Sequence, residues 1–157
     1  MDNKLEIGQI QEELLGLLPQ WNYRITKPFK QLLDEGISLE MYYCIRILRW
    51  LGGTATMTEL GTYALMPKQQ MTKMVNRLVE HQLVERLEDP ADRRIIKIRL
   101  TDTAFQYIDH FLSEDAKCFR YLLGQMDGED RIAFRNAIKT ISDIFCRLPS
   151  PPGIMQE

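Results

Sequence analysis

Between Thr56 and Thr101 the spacing of apolar positions changes from helical to alternating, which divides the segment into two short helices followed by a hairpin. Thr56, Met57, Thr58 and Glu59 have the spacing of a capping box, so a helix is predicted to start at Thr56 and turn Leu60 and Ala64 inward. After Leu65 and Met66, Pro67 suits the first turn of a second helix, where its missing N–H has no helical partner. Met71, Met74, Val75 and Leu78 then recur at helical spacing as one apolar stripe. Residues 83–88 and 95–100 read as strands, the second with Ile96, Ile98 and Leu100 alternating against Lys97 and Arg99. The loop between them, Asp89 to Arg94, opens with turn residues and closes with paired arginines. Helix, tight turn, helix and charged hairpin together make a winged helix-turn-helix.

The patterning continues on both sides. Residues 5–35 carry an apolar side through Leu14, Leu15, Leu18, Trp21, Ile25, Phe29, Leu32 and Leu33, with kinks or two segments expected at Pro19 and Pro28 and a stop at Gly36. Ser38 caps a helix carrying Met41, Tyr42, Ile45, Leu48, Trp50 and Leu51 up to Gly52 and Gly53. Thr101 caps a helix predicted from Asp102 to about Met126, and a last helix runs from the turn at 127–130 to about Arg147. The proline-rich segment from Pro149 ends it and begins a flexible tail. The expected fold is mainly α (α+β). It divides into an N-terminal helical region 1–36, a winged lobe 37–100, C-terminal helices 101–148 and a tail 149–157.

The second helix of the lobe turns Lys68, Gln69, Gln70, Thr72, Lys73, Asn76 and Arg77 away from its apolar stripe, and no carboxylate interrupts that face before Glu80. Long amide and cationic side chains are what a helix needs to reach base edges and phosphates in a major groove. A merely solvated face has a similar composition; the hairpin behind it favours DNA. Arg93 and Arg94 at the hairpin tip can lie along a backbone or enter a minor groove. Asp92 is expected to orient a nearby arginine through a charge-assisted hydrogen bond, with Arg86 supporting the wing.

Composition changes the picture in one respect. The net charge is −2 over 157 residues and the pI about 5.8, which excludes nucleic-acid binding through bulk charge. Between residues 68 and 99, however, Lys68, Lys73, Arg77, Arg86, Arg93, Arg94, Lys97 and Arg99 oppose Glu80, Glu85, Glu88, Asp89 and Asp92, a local excess of three positive charges.

The order of residues resembles the MarR family of winged-helix transcription regulators. That family's pattern is a helix ending in Leu-x-x-x-Gly-Leu-Val-x-Arg, an Asp-x-Arg wing, and Leu-Thr opening a long helix. It is matched by Leu78, Leu83, Val84, Arg86, Asp92, Arg94, Leu100 and Thr101, and flanking helices extend the likeness over roughly residues 8–147. Gln82 stands where the family usually has Gly, which puts a side chain on a left-handed position if the turn is kept, and Ala104 replaces the Gly that often follows Leu-Thr. The resemblance implies a homodimer formed by the terminal helices, which show more apolar surface than a small winged lobe needs. It also implies a pseudo-palindromic double-stranded DNA operator and a small-molecule effector between the helical region and the lobe, with Trp21, Tyr23, Tyr42, Tyr43 and Trp50 as candidate lining. A winged-helix protein-interaction module without DNA binding is the alternative.

Cys44, Cys118 and Cys146 are odd in number and set in apolar helical patterns, which suits buried thiols in a reducing cytoplasm. None lies near the start of the first helix, where the peroxide-sensing members of the family carry theirs. His81 and His110 read as surface residues, each beside an acid that points elsewhere on its helix. With no phosphate loop, nucleophile elbow, paired carboxylates or Cys/His cluster in the sequence, no enzyme activity, metal or cofactor is expected. No apolar run suits a bilayer, so a cytoplasmic protein without a membrane partner is expected.

Overall fold

A computed structural model describes residues 2–113, 117 and 119–149. The chain begins with α1 (Asp2–Trp21), which runs through Pro19, and continues through a π-helical turn (Asn22–Thr26) into α2 (Lys27–Lys30). The expected break at Pro28 is absorbed by that turn. A proline ring clashes with the carbonyl four residues back, here Arg24, and the wider π geometry carries the Lys27 N–H to the Asn22 carbonyl instead. The helix stops at Lys30, short of Gly36, and a turn from Asp34 to Ile37 follows.

Then come α3 (Leu39–Trp50), β1 (Thr54–Thr56), α4 (Met57–Ala64), α5 (Lys68–Glu80), β2 (Val84–Glu88) and β3 (Ile96–Leu100). Ser38 caps α3 by accepting from the Met41 N–H at 3.2 Å. The three strands form an antiparallel sheet in the order β1-β3-β2, with Ala55 opposite Ile98 and Arg86 opposite the same residue on the other side. The short β1 strand is absent from the pattern reading: three residues are too few to show alternation. Its pairing is fixed by geometry around Gly53, whose carbonyl accepts from the Leu100 N–H at 2.9 Å.

The core is the space between α3, α4, α5, the sheet and the helix that follows it, α6 (Asp102–His110). Met41, Cys44, Ile45, Leu48, Leu60, Met71, Val75, Leu78, Leu83, Ile98, Ala104 and Ile108 are buried there. The apolar alternation of β3 places Ile98 and Leu100 inside, while Ile96 at the wing end stays exposed.

The predicted helix from Asp102 to Met126 is shorter than expected. Helix α6 (Asp102–His110) ends at Phe111, where Leu112 and Ser113 bond three residues back; α7 (Arg120–Gly124) and α8 (Gly128–Arg147) follow. The break lets one buried ring, Phe29, take both Phe111 at 5.1 Å and Phe119 at 6.1 Å between centroids. Cys118 and the tail beyond Pro149 lie outside the described residues. Cys146, expected to be buried, is exposed on α8, a helix that buries none of its residues among the described residues.

Candidate nucleic-acid interface

The approach of α5 to solvent is set by the turn before it. The Thr56 hydroxyl accepts from the Glu59 N–H at 3.1 Å and the Glu59 carboxylate accepts from the Thr56 N–H at 2.8 Å, so the predicted capping box is complete. Helix α4 closes on Leu65 in the left-handed conformation, φ 52°, and the Met66 N–H bonds back to the Gly61 carbonyl at 3.0 Å. Gly61 keeps this turn tight: a Cβ there would lie 3.2 Å from the Met66 carbonyl oxygen. Pro67 sits one residue earlier than expected, as the extended N-cap of α5 rather than in its first turn. At the other end Gln82 adopts φ 58°, the left-handed position the family fills with Gly, at a cost of about 1 kcal/mol.

Met71, Met74, Val75 and Leu78 hold α5 against the core, and Lys68, Gln69, Gln70, Thr72, Lys73, Asn76 and Arg77 are all exposed. The Thr72 hydroxyl donates to the Lys68 carbonyl at 2.9 Å, which fixes its rotamer. Asn76 is not free: its side-chain oxygen accepts from the Arg86 guanidinium of β2. The wing thus leans on α5 through this pair, which no periodicity in the sequence could have revealed.

In the wing, Asp89 accepts from the Ala91 N–H at 2.8 Å and pairs with Lys97 at 3.3 Å, and these contacts hold its carboxyl below the usual range, the backbone bond most of all. Asp92 orients the backbone, not a guanidinium: its carboxylate accepts from the Arg94 N–H at 2.9 Å. The arginine that Asp92 meets is thus Arg94, held through its backbone N–H, which a short loop brings within reach before any longer side chain. Arg99 is neutralised by Glu85 at 2.6 Å. Lys97 and Arg99 are thus spent within the sheet, whereas Lys68, Lys73, Arg77, Arg93 and Arg94 make no ion pair among the described residues.

The candidate ligand aromatics are not gathered. Tyr42 packs on Phe29 at 4.8 Å and Phe111 at 5.5 Å, Trp50 meets Tyr63 at 5.2 Å, and Trp21, Tyr23 and Tyr43 are exposed; no ring contact joins one of the five to another. Phe29, Tyr107 and Phe111 form the aromatic cluster instead, and the Tyr107 hydroxyl accepts from the Asp34 N–H at 3.0 Å. Burial, with Glu40 adding to it, pushes the Cys44 thiol up to about 12, so it stays protonated and unreactive at neutral pH. His81 is half-buried over Gly36 and His110 is exposed. Among the described residues no group of three His, Cys, Asp or Glu could hold a metal ion, and no helix is long and apolar enough to cross a membrane.

Residues 36–95, the span of the lobe just described, match the model of the MarR family. Over that span the chain is similar to the MarR family. Among relatives, the organic hydroperoxide resistance transcriptional regulator of Bacillus subtilis (strain 168) is 28% identical over 102 residues, which is 65% of this chain and 69% of that protein. The HTH-type transcriptional repressor IacR of Pseudomonas putida is 28% identical over 68 residues, 43% of this chain and 41% of the relative. The fold is shared with a mutant MarR from E. coli solved with operator DNA, at a TM-score of 0.57 and 20% identity over 83% of this chain and 91% of that one. Like these MarR proteins, the chain is mainly helical with a small antiparallel sheet.

Proposed function

We propose that this chain is a dimeric, sequence-specific DNA-binding transcription regulator of the MarR family, most simply a repressor that a small, aromatic ligand releases. One observation carries the reading: the exposed face of α5 and the wing tip hold five cations without carboxylate partners among the described residues, Lys68, Lys73, Arg77, Arg93 and Arg94, on a chain whose overall charge is negative. Gln69, Gln70 and Thr72 lie among them to reach base edges, with Asn76 held by Arg86. Residues 37–100 would act as the DNA-binding lobe, and 1–36 with 101–148 as the dimerisation region. The apolar residues exposed along α1 and α8 support pairing with a second copy, and two lobes related by a two-fold axis would read a pseudo-palindromic site. Ligand control is supported by a fold neighbour, Bordetella bronchiseptica BpsR, whose DNA binding is regulated by 6-hydroxynicotinic acid. No cofactor enters this reading.

The test is binding of the purified protein to DNA from upstream of its own gene, titrated against excess competitor at two salt concentrations. Protection of a short inverted repeat that survives competitor is the expected result. Loss of binding to every fragment in a genome-wide selection would instead favour a protein-interaction module.

A further inference from the structure

We propose that α1 pairs with α1 of a second copy in antiparallel order, its acidic first half lying along the partner's basic end. The inference rests on the dimeric reading above and gives that dimer an orientation. Ile7, Ile10, Leu14, Leu17, Leu18 and Trp21 recur at helical spacing and make one stripe along α1. Each is between 39% and 62% exposed, so nothing among the described residues of the same chain covers the stripe. Charge is divided along the same segment. Residues 4–13 hold Glu6, Glu12 and Glu13 against Lys4, whereas residues 14–33 hold Arg24, Lys27 and Lys30 and no acid at all. All seven side chains are exposed, and none makes an ion pair among the described residues.

An apolar stripe set between an acidic end and a basic end is complementary to its own reverse. Laid parallel, two copies would set acid against acid and cation against cation. Laid antiparallel, each end meets its opposite around a two-fold axis, which is the self-complementary contact of a closed dimer. The spacing names the pair. Glu6 and Glu13 are seven positions apart, about two turns at about 3.6 residues per turn, and Arg24 follows eleven positions later, about three turns, so all three border the same side of the stripe. Glu12 lies on the opposite face. Glu6 and Arg24 each stand nine positions from Leu15, beside the middle of the stripe at Leu14. An antiparallel pairing centred there puts Glu6 of each copy beside the partner's Arg24, in two symmetric pairs that flank an apolar seam, where charges set orientation more than strength.

Sedimentation equilibrium of the full chain at low ionic strength, read as a dimer dissociation constant, tests this. Glu6→Arg sets arginine against arginine in both pairs and should weaken the dimer about ten-fold, as should Arg24→Glu, while the two together should restore wild-type affinity. Glu12→Arg makes the same charge change on the opposite face and should leave the dimer as it is. Mixing the Glu6→Arg and Arg24→Glu proteins should give the mixed dimer in preference to either parent. Glu6→Arg dimerising as tightly as wild type would overturn the proposal. So would a double variant as weak as Glu6→Arg alone, or a Glu12→Arg protein weakened as much as Glu6→Arg, since the first places another part of the second copy on the stripe and the second reports net charge only. A wild-type chain that stays monomeric at every concentration would remove the dimeric reading itself, an outcome distinct from these.

Discussion

The winged lobe and the terminal helices use the same amphipathic grammar to opposite ends. Between Met41 and Ile108 the apolar stripes of α3, α4, α5 and α6 converge on one sheet face and bury each other, so the lobe is complete within a single chain. Helix α8 has as regular a stripe, yet it buries none of its residues, and Ile132 and Phe145 remain 64% and 67% exposed. In α1, Leu5, Leu15 and Leu18 are likewise more than 60% exposed. Periodicity reports that a face will be covered; it does not say whether the cover belongs to the same molecule.

Two substitutions should separate these regions most sharply. Leu78→Ala, in the middle of the lobe core, should cost about 2–5 kcal/mol in a denaturant titration, because the surrounding α5 and sheet residues cannot collapse into the space. Ile141→Glu on α8 should leave the midpoint of lobe unfolding within about 0.5 kcal/mol of wild type and shift the sedimenting species from dimer to monomer. If Ile141→Glu unfolds the lobe, the two regions are one cooperative core and the contrast is wrong.

Within the lobe, the inner and outer faces of α5 should differ in the same way. Lys73→Ala should leave stability unchanged and weaken specific DNA binding by about 1–3 kcal/mol if the side chain reads a base, or lower the salt slope by about one if it holds a phosphate. A variant indistinguishable from wild type in both affinity and salt dependence would take Lys73 out of the interface.

Much of this was legible because local rules and tertiary packing agreed. The Thr56 box, the Ser38 and Thr101 caps, the stripe of α5 and the Gln82 turn all appear where the spacing put them. What was not legible depended on partners distant in sequence. Strand β1 exists because β3 offers it an edge, and α6 ends at Phe111 because Phe29, more than eighty positions earlier, gives that ring a seat. The basic face of the lobe was legible as a composition, but its charge state was not. Lys97 and Arg99 counted toward the basic excess until the hairpin register set them beside Asp89 and Glu85. Likewise, of the five candidate ligand aromatics, Tyr42 and Trp50 pack on other rings while Trp21, Tyr23 and Tyr43 are exposed.

The wing tip offers a finer contrast, between order held by burial and order held by hydrogen bonds. Asp92→Ala removes the acceptor of the Arg94 N–H and should lower DNA affinity by about 1 kcal/mol with the thermal midpoint unmoved, since nothing in the core touches it. Wild-type affinity in that variant would mean that Arg94 needs no anchor.

The smallest effect expected is that of acid on the same loop. Asp89 is held below its ordinary value of 3.8 by the Ala91 N–H first and by Lys97 second, so the charged form is the one the folded wing prefers. A carboxylate with a depressed folded value contributes its stabilisation above the unfolded value; the contribution declines as pH falls below 3.8 and is gone once the pH passes the lower folded value. Amide resonances of Ala91 and of the loop from Asp92 to Arg94 should therefore shift and broaden below pH 3.8 before those of Ile98 and Leu78 respond, because the latter depend on burial and not on a carboxylate. Simultaneous loss of both sets would show that the wing is not a separately held element, and that the core feels Asp89 through the β2–β3 ladder.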